Sequence, residues 1–189
     1  MLDESITRFN QASTDLQTEF RSARSPDDWQ RLAKTRWQQD YTKLFEAVVP
    51  MIKAFVTEDS PSERACVVSK LTPDALGILL TFASSTAVLA VRRKSPELIA
   101  QGLIALAIMG DLGDVRDQCF YLAALHHSAM KLGIETSKLF GDVAGLVSSP
   151  DLQNEMRKFP LRPHRSRELS AFHMREIFTD QGYDLGQDD

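Results

Sequence analysis

The residues with the most chemical potential are the adjacent pair His126-His127 and, seven positions upstream, Cys119. Imidazole and thiolate are ordinary ligands for zinc and related metals. The segment 115–132 reads as a helix with an apolar stripe of Val115, Cys119, Leu122, His126 and Ala129, with Met130 beside it. His126 therefore points into the stripe, and His127 about 100° away from it. Cys119 and His126 sit two turns apart on one face. A metal centre needs further ligands, and Asp111, Asp114, Asp117 and Asp142 are the carboxylates nearby in sequence. Their spacing matches no recognised pattern such as His-Glu-x-x-His. The competing reading makes His126 a core histidine held by a neighbouring helix, because buried polar groups find partners.

The acidic stretch Asp111–Asp117, with Gly110 and Gly113, lacks the calcium-loop spacing of an EF-hand. It reads as a turn with Asp114 at a helix start. Its other reading is a docking face: Asp111, Asp114 and Asp117, with Asp142, would meet a basic partner. A basic segment follows later in Arg157, Lys158, Arg162, Arg165 and Arg167. It suits a phosphate contact, an acidic partner, or simply a solvated linker. Only Phe159 and Phe172 could stack bases there. The net charge of −4 also argues against general nucleic-acid affinity, which shows as a basic excess. Ser84-Ser85 lacks elbow glycines, and Cys66 has no base nearby in sequence. Gly77, Gly102, Gly110 and Gly113 form no phosphate-cradling motif. No cofactor is expected.

The elements that would position these residues are all helical. A Ser or Thr precedes Pro five times, at Ser25, Ser60, Thr72, Ser95 and Ser149, each with an acidic residue close behind. Such a residue caps free N–H groups, Pro at the first helical position loses no bond, and the carboxylate suits the positive helix end. The expected helices are 2–23, 26–55, 61–70, 73–93, 96–110, 115–132, 137–148 and 151–159, with a further short one near 166–178. Pro50 should kink or break the second, and Gly133 should end the sixth. The segment 96–110 carries no charge from Leu98 onward, so it must be covered on nearly every side. It is the expected central helix.

The reading is thus an all-α protein, an antiparallel multi-helix bundle or short helical array around residues 96–110. Residues 1–159 form one domain, and 160–189 a basic linker, short helix and frayed tail. The uncharged span 75–91 contains Thr81, Ser84, Ser85 and Thr86, and reads as a buried helix rather than a membrane span. The N-terminus has neither the basic nor the apolar region of a signal peptide. Two cysteines in helical context fit a reducing cytoplasm.

Residues 72–148 resemble a HEAT-like helical array, through Asp114-Val115-Arg116 at a helix start followed by Ala123-Ala124-Leu125. That resemblance implies stacked helices with an exposed face for another protein. In overall character, small, acidic and helical with no catalytic signature, the chain also resembles bacterial toxin-immunity proteins. The expectation is a non-enzymatic cytoplasmic interaction module whose partner is another protein, such as a toxin or effector, and not a membrane. The alternatives are a helical-bundle enzyme or ligand binder using Cys119, His126 and His127, and a nucleic-acid regulator acting through Arg157–Arg167.

Overall fold

The computed structural model describes residues 1–21, 41–110 and 115–161. They form an all-α multi-helix bundle with no strand among them. Eight helices follow in order: α1 (Leu2–Arg21), α2 (Tyr41–Val56), α3 (Pro61–Lys70), α4 (Pro73–Arg93), α5 (Pro96–Met109), α6 (Val115–Lys131), α7 (Thr136–Ala144) and α8 (Pro150–Lys158). A 3-10 turn over Phe159–Leu161 closes the described chain. The expected segments at 26–40 and 166–178 lie outside the described residues.

Local chemistry sets most of the boundaries. The hydroxyls of Ser60, Thr72 and Ser149 accept from the backbone N–H of Glu63, Ala75 and Leu152, and Pro stands at the first helical turn each time. Ser95 departs from the expectation. Its hydroxyl donates to Glu97 Oε2 at 2.7 Å and makes no cap bond to the backbone. Gly133 takes φ 68°, and Ile134 N–H reaches back to Ala129 O, closing α6 as a Schellman motif. Lys94 closes α4 in the same way at φ 50°, with Ser95 N–H on Ala90 O.

One local rule and one boundary depart from the sequence reading. Helix α2 continues through Pro50 to Val56 without a break. Pro50 is on the exposed face, where a carbonyl that loses its partner can be hydrated. Helix α7 ends at Ala144 rather than 148. Gly145 and the residues after it turn the chain, so that Phe140, Val143, Ala144 and Val147 still reach the core.

The centre is a pair of helices rather than one. Helix α5 packs against α2, α3, α4, α6 and α7, and α4 against α1, α2, α5 and α6. Between them they bury Phe82, Ile78, Leu79, Ile99, Leu103, Leu106 and Ile108 almost completely. By length and composition α4 could cross a membrane, but 67 % of its most apolar window is buried inside the bundle. Gly102 brings the helices close. A Cβ there would overlap Thr86 Oγ1 of α4 and come within 2.7 Å of Leu125 of α6.

The rest of the molecule attaches to this centre at two places. On one side, Asn10 of α1 acts as a clamp. Its amide donates to Lys70 O at 2.8 Å, and its carbonyl accepts from Thr72 N–H at 3.0 Å. A single side chain thus satisfies both backbone groups at the junction of α3 and α4. On the other side lie α7, α8 and the 3-10 turn, joined to the centre by the contact of α7 with α5 and through α6.

Candidate functional site

His126 sits where the helical stripe directs it. Helix α6 carries it inward to 1 % exposure, and two aromatic rings from later segments close around it. The Phe140 ring of α7 lies edge-on at 5.6 Å and 88°. The Phe159 ring, in the 3-10 turn, lies at 5.7 Å and 69°. The two phenylalanine rings are nearly parallel, at 19° and 6.4 Å between centroids. His126 therefore joins α6, α7 and the turn after α8. Edge contacts of this kind add about 1 kcal/mol per pair to the burial of the rings themselves.

This setting acts on the imidazole. Burial holds its pKa below the ordinary 6.5, and the neighbouring His127 pushes the same way. The ring is thus kept neutral in the core at neutral pH. His127, half-buried, lies outside the aromatic trio as its angular position predicts. Cys119 is also half-buried, two turns before His126. Among the described residues, no three His, Cys, Asp or Glu side chains gather closely enough to hold a metal ion.

Asp111 and Asp114 lie outside the described residues. Asp117 falls in the first turn of α6. Asp142 is exposed on α7, on the face opposite buried Phe140 and Val143. In the basic segment, Arg157 and Lys158 form the exposed last turn of α8, where cations complement the negative helix end. Arg162, Arg165 and Arg167 lie outside the described residues.

Three contributors went unread in the sequence. Phe140 and Phe159 are 14 and 33 positions from His126, and no local pattern ties them to it. Gln118 is the third: its amide donates to Gly110 O at 3.0 Å in a buried bond, fastening the start of α6 to the end of α5. Gly110 holds φ 54° and ψ −123° there, a backbone conformation essentially restricted to glycine.

Fold and site together define a helical bundle whose interior histidine lies in an aromatic clasp. No family model, curated protein or solved structure matches the chain.

Proposed function

We propose that the chain is a non-enzymatic, cytoplasmic protein-interaction module that binds and neutralises a basic toxin or effector. The carrying observation is the position of His126, closed between Phe140 and Phe159 at 1 % exposure. The side chain with the most catalytic potential serves the packing of three segments. That leaves recognition to the surface, where exposed Asp142 can help steer a cationic partner and speed association.

The test has two stages. The tagged chain is used to isolate its stoichiometric partner from the native cell, and the pair is then titrated at low and high salt. Asp117→Lys with Asp142→Lys should weaken binding and flatten its salt dependence. Unchanged affinity in the double variant sinks the acidic-face version. A partner-free chain that turns over a small molecule sinks the module reading altogether.

A further inference from the structure

The direction of α4, α5 and α6 brings a set of cations together. Gly102 of α5 lies level with Thr86 of α4 and Leu125 of α6. Arg92 is six residues beyond Thr86, Lys131 six beyond Leu125, and Pro96 six before Gly102. At the helical rise each lies about 9 Å from the common level. The Gln118–Gly110 bond fixes the antiparallel run of α5 and α6 from their other ends. Arg92, Arg93, Lys94 and Lys131 therefore share one end of the bundle, and Lys138 joins them in the first turn of α7.

All five are exposed. The same segments supply only two carboxylates, Glu97 and Glu135, in a chain whose net charge is −4. Helices α4 and α6 end here while α5 and α7 begin here, so their terminal partial charges offset in pairs. Ser95 and Glu135, the caps of α5 and α7, make no side-chain cap bond. The caps of α3, α4 and α8 do.

We propose that this basic end docks the protein on an anionic membrane surface, with Arg93, Lys94 and Lys131 meeting headgroup phosphates. This is a peripheral contact, independent of the protein partner proposed above. The cations sit on the tips of three segments rather than along a helix that could enter a duplex groove, and residues 91–98 and 130–138 contribute no aromatic to stack a base. The net charge of −4 over the whole chain opposes wrapping by a long polyanion.

The test is partition of the full chain onto phosphatidylcholine vesicles with and without phosphatidylserine, at low and physiological salt. Binding should require the anionic lipid and fall with salt. Each cation removed should weaken it about fivefold, so Arg93→Glu/Lys94→Glu/Lys131→Glu should lose about a hundredfold or more. Lys53→Glu, on α2 outside the patch, should cost far less. If the triple variant fails to fold by circular dichroism, Arg93→Gln/Lys94→Gln supplies the milder loss. Equal binding to neutral and anionic vesicles overturns the proposal. So does full binding by either patch variant, or salt-sensitive retention of duplex DNA without vesicle binding.

Discussion

The α4–α5 pair with α6 against it, and the α7–α8 layer, both bury side chains, yet they are held by different means. The centre closes on small residues. Gly102 lets α5 approach Thr86 of α4 closely, small Ala83, Ser85, Ala87 and Ala105 are buried with it, and large aliphatic side chains fill the rest. The outer layer closes on large rings, with His126, Phe140 and Phe159 bridging segments that Val143, Ala144, Leu152 and Met156 also anchor. Close backbone packing tolerates no added atoms. A ring clasp tolerates no lost ones, and because one ring is an imidazole it also responds to protons.

The largest effect should come from emptying the clasp. Phe140→Ala removes the ring between α7 and His126 and should cost about 3–5 kcal/mol, the usual range for a core aromatic. Chemical denaturation gives the total, and amide exchange gives its location. Protection should fall first in Thr136–Lys158 while α4 and α5 keep theirs. Uniform loss across all helices would mean that the two regions are one cooperative unit, and the contrast would dissolve.

Gly102→Ala probes the centre by the opposite perturbation. The new methyl must displace Thr86 or Leu125, and overpacking of this kind costs about 1–3 kcal/mol. The better helix propensity of alanine returns up to about 1 kcal/mol. The net should still be a loss, and amide exchange should show it in α4, α5 and α6 together. A variant as stable as the parent would show that these helices slide apart without penalty.

Acidification separates the regions by charge. Burial lowers the His126 pKa below 6.5, so the unfolded chain takes up a proton at a higher pH than the folded one. Stability from this group is fully present above the unfolded value of about 6.5 and declines as pH falls from there toward the lower folded pKa. The decline should concentrate in α7 and α8. His126→Phe should flatten that part of the stability–pH curve. If the variant follows the parent curve, the clasp is not the proton-sensitive element.

The contrast also divides what the sequence makes legible. Ser60, Thr72 and Ser149 act locally, through bonds within three residues, and are readable as caps. The uncharged run after Pro96 is readable as buried because any helix of that composition must be. His126 is readable as inward-facing from its stripe. The clasp is not readable, because Phe140 and Phe159 meet His126 through a fold that no spacing records. Nor is the failure of Ser95 to cap, which depends on Glu97 competing for its hydroxyl. Pro50 shows the limit of a local rule: on the exposed side of α2, the missing N–H does not end the helix.

The smallest effect comes from a second glycine that the sequence cannot tell from the first. Gly77 and Gly102 both lie inside apolar helices, and both suggest close packing. Around Gly77 the only near neighbour of an added Cβ among the described residues is the amide nitrogen of Gln17, at 3.3 Å. That atom is the far end of a flexible side chain and can move by a few tenths of an ångström. Gly77→Ala should therefore keep most of the gain of about 1 kcal/mol in helix propensity and raise the midpoint of thermal unfolding by a few degrees. Opposite signs for Gly77→Ala and Gly102→Ala would show that the backbone is closed on itself at α4–α5–α6 and looser where α1 meets α4. A shared loss would extend the close packing to the α1 side and leave the ring-held layer as the exception.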